Sequence, residues 1–278
     1  MEEVARGVFV ETGWVGCSVA FVETREGVVL IDTPERPTDA VAWRREAESR
    51  GKLLYLINTE HHIDHILGNF FFPCTVIAHE GTRANFHNPS IQFGETVDNP
   101  RALVESIDPE GLPLLEGYRA REPSITFSDR LVLRPGGRTF EVFHAPGHLP
   151  NSTVVFLREE GVLFASDDVF HNFLPWLHQS NPFAWLKSLR QIRDLAPKVI
   201  VPGHGPVCGL EPVDQLETYL RDVIALVRRA VEEGMGRDEA VARLRLPQVY
   251  PVPEHFRSMV AQVERMGIGR VFDALTVS

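Results

Sequence analysis

The sequence Glu60-His61-His62-Ile63-Asp64-His65 places three imidazole groups and two carboxylates within six residues. It follows the apolar run Leu53-Leu54-Tyr55-Leu56-Ile57, which is typical of a buried strand. Imidazoles and carboxylates beside a packed core need hydrogen-bond partners or a cation, because their removal from water is otherwise unfavourable. The stretch therefore predicts a metal site at the end of a strand, and the absence of thiolates from it argues against a structural zinc site. A solvated loop with coincidental histidines is the alternative.

Three later segments repeat this arrangement, in which an apolar strand-like run ends in a turn that carries potential ligands. They are Phe140-Glu141-Val142-Phe143 before His144 and His148, Val162-Leu163-Phe164-Ala165 before Asp167 and Asp168, and Val199-Ile200-Val201 before His204. Loops at strand ends can direct ligands from distant parts of the chain to one point, because the sheet holds the loops rigidly. The recurrence favours a metal site over a solvated loop.

The order of these motifs resembles that of the metallo-β-lactamase-fold hydrolases. In that family His-x-His-x-Asp-His precedes a Gly-His, a Gly-Asp after an apolar strand, and a late Gly-His. The matching elements here are His62, Asp64 and His65, then Gly147-His148, Ser166-Asp167 and Gly203-His204. The strand before Asp32 also resembles the family strand whose aspartate braces the metal loop. The resemblance covers residues 7–210 and implies an α/β fold, a four-layer αββα sandwich.

The resemblance also implies the ligands of two divalent metal ions. One ion would bind Glu60, His62 and His148, the other Asp64, His65 and His204, with Asp167 between them. Glu60 stands where the family has its first histidine, and a carboxylate favours harder metal ions than an imidazole does. Glu60 is interpreted as a ligand or, alternatively, as an acceptor for the N–H of a ligand imidazole. Zinc is the first choice of metal, with iron or manganese as alternatives.

Two such metal ions predict hydrolysis. A bound metal lowers the pKa of its water towards about 7, so that a metal-bound hydroxide is available to attack a carbonyl group at neutral pH. Asp64 is predicted to orient this nucleophile or to shuttle a proton. The Gly-x-Ser-x-Gly pattern of a serine nucleophile does not occur in the sequence. The predicted substrate is a lactone, ester, thioester or β-lactam, and the alternatives are an iron-dependent oxidoreductase or a non-catalytic metal-binding protein.

The substrate is further predicted to be small and largely apolar. Four apolar residues close behind Asp167 are predicted to form one wall of the pocket: Phe170, Phe173, Trp176 and Leu177. His171 and His178 are placed to line its mouth, whereas His144 is interpreted as a structural histidine. Strand alternation predicts that Asp168 faces away from the site. Cys208 follows His204 closely, but a buried apolar role is favoured for it.

Charge and composition restrict the partners. A formal net charge of −10 argues against a nucleic-acid groove, which needs a basic stripe. Three widely spaced cysteines do not predict a disulfide framework, so a reducing cytoplasm is the expected compartment. The sequence shows neither a signal-peptide pattern nor an apolar run of membrane length. The expected partner is a small-molecule substrate, with no nucleic acid or membrane, and a homodimer is left open.

The predicted elements form two strand-rich batches. The first covers residues 7–58, with a hairpin turn at 25–27 and a helix at 38–50; the second covers residues 125–165, followed by a helix at 182–195 and a strand at 198–201. Residues 85–124 form a lid-like insertion whose apolar residues, including Phe86, Ile91 and Phe93, would cover the body or form a dimer contact. Residues 1–210 are predicted as the catalytic domain. Residues 211–278 are predicted as its C-terminal helical extension, with helices at 213–233, 237–244 and 254–266.

Overall fold

The computed structural model describes residues 1–88, 96–252, 254 and 257–276. Its strands form a seven-stranded sheet and a five-stranded sheet. The first sheet runs in chain order through β1 (Glu2–Ala5), β2 (Val8–Glu11), β3 (Val19–Thr24), β4 (Gly27–Ile31), β5 (Leu53–Ile57), β6 (Thr75–His79) and β7 (Ile125–Phe127). The second has the spatial order β12-β11-β10-β9-β8, with β8 (Arg130–Leu133), β9 (Phe140–His144), β10 (Thr153–Leu157), β11 (Val162–Phe164) and β12 (Val199–Val201).

The helices connect the strands or follow the last one. They are α1 (Pro37–Arg50), α2 (Ile63–Ile66), α3 (Glu80–Ala84), α4 (Arg101–Ile107), α5 (Pro182–Asp194), α6 (Glu211–Glu232), α7 (Arg237–Arg243) and α8 (Val260–Thr276). Short 3-10 turns cover Leu67–Phe71, Pro109–Leu115, Pro135–Gly137 and Ser166–Asp168. Within the described residues, no helix is both long enough and apolar enough to cross a membrane.

Strand direction brings several loops to the same edge of the sandwich. In the first sheet β1 to β4 are antiparallel, whereas β4 to β7 are parallel, and in the second only β11 and β12 are parallel. The hairpin between β3 and β4 needs glycine, because Gly27 has a φ of 146° and a Cβ there would lie 2.2 Å from the Lys52 carbonyl oxygen. The parallel pairs deliver the segments after β4 and β5 side by side.

Three apolar layers hold the four structural layers together. Between the sheets, the inward side chains of β4, β5 and β6 pack against those of β9, β10 and β11, including Ile31, Ile57, Ile77, Val142, Val155 and Phe164. On the outer face of the first sheet, α1 buries Ala40, Trp43 and Ala47, which lie on one helical face. Helices α5, α6 and α8 cover the outer face of the second sheet. The predicted αββα sandwich is therefore confirmed.

Three element predictions need correction. Strand β7 belongs to the first sheet, where it pairs with β6, although its position in the sequence assigns it to the second batch. Strand β1 lies before the predicted start at residue 7 and pairs with β2. The last helix spans Val260–Thr276 rather than 254–266, and residues 255 and 256 lie outside the described residues. Apolar periodicity identifies strands and helices, but it does not reveal which neighbour a strand selects.

The insertion packs on the loop that carries the first metal motif. Its Phe86, Val97 and Val104 contact Ile63 and Ile66 on α2. The Asp108 carboxylate, at the end of α4, accepts hydrogen bonds from the backbone N–H and the hydroxyl of Thr38 at the start of α1, at 2.9 and 3.0 Å. Ile91 and Phe93 lie outside the described residues. The role of the insertion as a lid or a dimer contact stays a prediction.

Candidate metal centre

Four loops at one edge of the sandwich bring the seven predicted ligands together, and we call these residues the ligand cluster. Glu60, His62, Asp64 and His65 follow β5, His148 follows β9, Asp167 follows β11, and His204 follows β12. Short connections fix these loops, since the Gly203 N–H donates to the Ser166 carbonyl at 2.7 Å and the Ser18 N–H donates to the Gly203 carbonyl at 2.7 Å. The two sheets thus share the construction of the site.

One part of the ligand cluster contains Glu60, His62, His148 and Asp167. Each offers one atom, and these atoms all lie within 4.8 Å of one another. His148 Nε2 is 3.4 Å from His62 Nδ1 and 3.6 Å from Asp167 Oδ2. The Glu60 carboxylate contacts His62 Nδ1. Imidazole nitrogens and carboxylate oxygens therefore face a common point.

The other part contains Asp64, His65 and His204. Asp64 Oδ2 lies 3.8 Å from His65 Nε2 and 3.4 Å from His204 Nε2. Asp167 reaches this part as well, with Oδ1 3.3 Å from His65 Nε2 and Oδ2 3.4 Å from His204 Nε2. The structure thus assembles the two groups that the sequence resemblance implies, with Asp167 between them; metal binding by these residues stays a prediction.

Several inward-facing polar atoms of the ligand cluster are buried and make no hydrogen bond of suitable geometry with the described residues, although they lie against one another. They are both carboxylate oxygens of Glu60, Nε2 of His65 and Oδ1 of Asp167. Such groups are unfavourable in a protein interior unless a hydrogen bond or an ion compensates for their lost hydration. Because oxygen and nitrogen atoms converge without such partners, the residues present fit divalent metal ions.

The pKa values of the ligand cluster are shifted in both directions. Burial alone would lower the pKa values of His62 and His204, but neighbouring carboxylates outweigh this effect and raise them, and the pKa of His65 is raised well above its ordinary value. Burial lowers the pKa of His148 well below its ordinary value, so its imidazole is neutral at neutral pH. Burial alone would raise the pKa of Asp167, but His204 and His65 outweigh this effect and hold it well below the usual range. Burial raises the pKa of Glu60 despite the opposing effect of His62 and His65. A cation would offset the cost of the buried Glu60 charge. Because metals bind neutral imidazoles and ionised carboxylates, metal binding would release the protons that these groups hold.

Asp32 braces the metal loop, as the resemblance predicts. It follows β4, and its Oδ2 lies 2.9 Å from His65 Nδ1, on the side of the ring away from the ligand cluster. The same carboxylate accepts hydrogen bonds from the backbone N–H and the hydroxyl of Thr59, at 2.8 and 2.5 Å. These bonds orient the His65 ring and leave Nε2 to face the ligand cluster.

Asp168 is buried and contacts the loop of the site, so the argument from strand alternation is wrong. Ser166 has a φ of 52° and begins a 3-10 turn through Asp168, so the alternation of a strand does not apply here. Asp168 Oδ1 accepts a hydrogen bond from the His148 N–H at 2.9 Å, and its carbonyl accepts one from Trp185 Nε1 at 3.0 Å. Asp168 therefore fixes the backbone that carries His148.

Only part of the predicted apolar wall lies at an accessible surface. Phe170 and Leu177 are buried in the apolar cluster on the outer face of the second sheet, and the Phe170 ring stacks on His204 with the ring centroids 5.6 Å apart, so their part in a pocket wall stays a prediction. Phe173 and Trp176 are partly exposed, and the Phe173 ring stacks on His204 with the ring centroids 4.8 Å apart. Sequence proximity to Asp167 does not show which way each side chain of this irregular loop turns.

The other histidines differ in their position relative to the ligand cluster. The His178 ring lies 5.8 Å from that of His62 and nearly parallel to it, and burial lowers the pKa of His178 to about 3. His171 Nδ1 lies 2.8 Å from the Pro206 carbonyl oxygen. His144 stacks on His79 at 4.2 Å, with Nε2 2.7 Å from the Pro150 carbonyl oxygen, in agreement with a structural role.

Two neighbours of the ligand cluster carry little signal in the sequence. Cys17, rather than Cys208, lies beside it, where its thiol donates to the Asp64 carbonyl at 3.2 Å. Gln179 lies with its side-chain amide beside His62. Cys17 precedes the ligand loop by more than forty residues, and a single glutamine in a loop has no motif, so only the fold reveals either position.

Comparison with known proteins agrees with this geometry. The sequence profile of the metallo-beta-lactamase superfamily matches residues 12–204. The chain belongs to this superfamily. A solved metallo-beta-lactamase family protein from Thermus thermophilus superposes with a TM-score of 0.65 at 19% identity, covering 97% of this chain and 92% of its own. At that identity the similarity concerns the fold.

Two curated relatives have hydrolase names. The linear primary-alkylsulfatase of a Pseudomonas strain is 25% identical over 262 residues, which cover 81% of this chain and 49% of the relative. The acyl-coenzyme A thioesterase MBLAC2 of Gallus gallus is 28% identical over 156 residues, covering 50% of this chain and 56% of the relative. The chain thus spans about half the length of these relatives.

Proposed function

We propose that this protein is a metal-dependent hydrolase of a small, largely apolar carbonyl compound, namely an ester, thioester, lactone or β-lactam. The observation that carries the proposal is the ligand cluster, in which buried oxygen and nitrogen atoms converge and several of them make no hydrogen bond of suitable geometry with the described residues. When bound there, divalent metal ions would supply Lewis acidity, which lowers the pKa of water and polarises a carbonyl group.

The open side of the ligand cluster indicates how a substrate would approach. The side chains of Asp64 and His204 are 20% and 12% exposed, whereas those of the other members are at most 7% exposed. Substrate and the attacking water would therefore arrive beside Asp64. Its Oδ2 would orient this water and accept its proton. The buried members would hold the metal ions and exclude bulk water from beneath the reacting bond.

An apolar cleft supports the choice of an apolar substrate. It is lined by Phe173, Leu174, Trp176, Val252, Met259, Val260 and Val263. Phe173 belongs both to this cleft and to the contact with His204, so the cleft adjoins the ligand cluster. Its apolar lining suits the apolar part of a small molecule.

The names of the relatives support hydrolysis, but they indicate different kinds of bond that are hydrolysed. A thioesterase cleaves the bond between an acyl carbon and sulfur, whereas an alkylsulfatase acts on a sulfate ester. The formal net charge of −10 gives no long-range attraction to an anionic sulfate. We therefore place carbonyl substrates first and make alkyl sulfates the comparison in the test.

Metal removal is expected to abolish hydrolysis. Purified protein would be assayed with an aryl butyrate, an acyl thioester, a lactone, a β-lactam and an alkyl sulfate, before and after treatment with a chelator. We expect turnover of a carbonyl substrate that disappears with the metal and returns with zinc, manganese or iron, and elemental analysis would identify the metal retained. The Asp64→Ala variant controls for contaminating esterases. Faster turnover of the alkyl sulfate than of every carbonyl substrate would refute the substrate class.

Truncation of the cleft aromatics is expected to weaken substrate binding. Phe173→Ala with Trp176→Ala removes apolar surface, and burial of one such side chain contributes roughly 1.5–3 kcal/mol, so KM for apolar esters should rise about tenfold or more. Metal content should stay at the wild-type level, because neither side chain offers an atom that binds a metal. Val249→Ala, at a residue 52% exposed, is the control. An unchanged KM would show that substrate binds elsewhere.

A further inference from the structure

We infer that Gln179 is a positioning residue. By contacting the ring nitrogen of His62 that is remote from the ligand cluster, it holds the ring in the orientation in which the other nitrogen can bind a metal. This inference rests on the proposed metal site. The Gln179 amide nitrogen lies 3.1 Å from His62 Nε2 and 3.2 Å from His178 Nε2. Gln179 thus contacts a predicted ligand and the histidine stacked on it.

The two nitrogens of His62 face different surroundings. Nδ1 contacts the Glu60 carboxylate and lies 3.4 Å from His148 Nε2, so it is the nitrogen that faces the ligand cluster. Nε2 faces Gln179. His62 would therefore bind a metal through Nδ1. The Gln179 amide contacts the other ring nitrogen, Nε2.

The chemistry of imidazole determines what Gln179 must then supply. A neutral imidazole that binds a metal through Nδ1 carries its proton on Nε2, and this N–H needs an acceptor. The amide of glutamine has such an acceptor in Oε1, and a rotation by about 180° exchanges Oε1 with Nε2 in nearly the same positions. With Oε1 turned towards the two rings, Gln179 would accept a hydrogen bond from His62 Nε2–H. In this position Oε1 would also face His178 Nε2.

The backbone around Gln179 is held from two directions. The Ser180 carbonyl accepts a hydrogen bond from Arg270 Nε on α8, at 2.7 Å. The Asn181 N–H donates to the carbonyl of Gly147, the residue before His148, at 3.0 Å, and the Asn181 side chain caps α5. A residue held in this way can orient a ligand ring, because little of its freedom remains to be lost when the metal binds.

The test compares two substitutions of similar size. Gln179→Met removes the acceptor and keeps the length of the side chain, whereas Gln179→Glu offers an acceptor in either rotamer. Metal affinity would be measured by competition with a chromophoric chelator, using zinc as the probe. We expect Gln179→Met to weaken one of two zinc ions about 10- to 100-fold, as loss of an outer hydrogen-bond partner of a ligand does, and Gln179→Glu to retain wild-type affinity or exceed it. Gln215→Met, on the exposed surface of α6, is the matched control.

The outcomes separate a positioning role from a structural one. Denaturant unfolding of the chelator-treated proteins should give the same midpoint for all variants, since the inferred role concerns only the bound metal. The inference is overturned if Gln179→Met binds both ions as tightly as the wild type, if both ions weaken equally, or if Gln179→Glu loses as much affinity as Gln179→Met. A wild-type protein that binds no divalent metal would overturn the proposed function as well, whereas the other outcomes concern Gln179 alone.

Discussion

Asp167→Asn is expected to remove metal from both parts of the ligand cluster and to reduce hydrolysis by more than the roughly 10- to 100-fold that loss of an outer-shell partner costs. Asp167 is the residue that both parts share, with Oδ1 3.3 Å from His65 Nε2 and Oδ2 3.6 Å from His148 Nε2. Asparagine keeps the shape but replaces a negative charge and one acceptor with a neutral amide that cannot bind a cation on its nitrogen side. No other member of the ligand cluster is expected to affect both ions so strongly.

The measurement is the metal-to-protein ratio together with kcat/KM on the substrate found in the screen. Asp194→Asn, at the exposed end of α5, removes the same charge far from the ligand cluster and is the control. Two tightly bound ions in Asp167→Asn would show that Asp167 does not lie between metals. Loss of one ion with the other unaffected would assign Asp167 to a single metal.

Gly203→Ala is expected to disrupt both the metal centre and the fold around it. A Cβ at Gly203 would lie 2.0 Å from Asp167 Oδ1, 2.6 Å from the Ser166 carbonyl carbon and 2.7 Å from the Asp167 backbone nitrogen. Two of these atoms belong to the backbone, which cannot swing aside as the end of a side chain can. We expect the free energy of unfolding to fall by about 3 kcal/mol, the upper end of the usual cost of overpacking, and Asp167 to leave its position.

Denaturant unfolding and metal analysis would test this prediction together. Gly209→Ala is the matched control, because its nearest neighbour would be Oε2 of Glu211, at the flexible end of an exposed side chain. The prediction fails if Gly203→Ala has the wild-type unfolding midpoint and a full complement of metal. A stable Gly203→Ala protein without metal would show that the backbone yields and that only the ligand is displaced.

The ligand loops were predictable because each follows an apolar strand pattern and carries a side chain whose burial is unfavourable. The run before Glu60 and the run before His204 both ended where the structure ends β5 and β12, to within a residue. The αββα sandwich followed from the resemblance rather than from the patterns alone. The local pattern does not predict which strands pair with each other. Strand β7 is an example, since its partner β6 lies more than forty residues earlier in the chain.

Other features depend on backbone geometry that the identity of single residues does not predict. Ser166 has a left-handed conformation and begins a 3-10 turn in which Asp168 contacts the backbone of His148, a contact that strand alternation does not predict. The same irregular segment separates Phe170, which is buried, from Phe173, which is partly exposed, although both are phenylalanines three residues apart. Gln179 and Cys17 reach the ligand cluster through the tertiary fold alone, so no spacing in the sequence points to them.

The division of the ligand cluster between the two sheets has a consequence for the order of events during biosynthesis. The chain emerges from the ribosome with residues 60–65 first, and His204 becomes available only after β12 has been made. Until then, the carboxylate and imidazoles of the first loop lack the partners from β9, β11 and β12 that complete their surroundings. Tight metal binding would therefore follow the docking of the two sheets and, because an ion bound only by the native state stabilises that state, would favour the finished protein over its partly folded precursors.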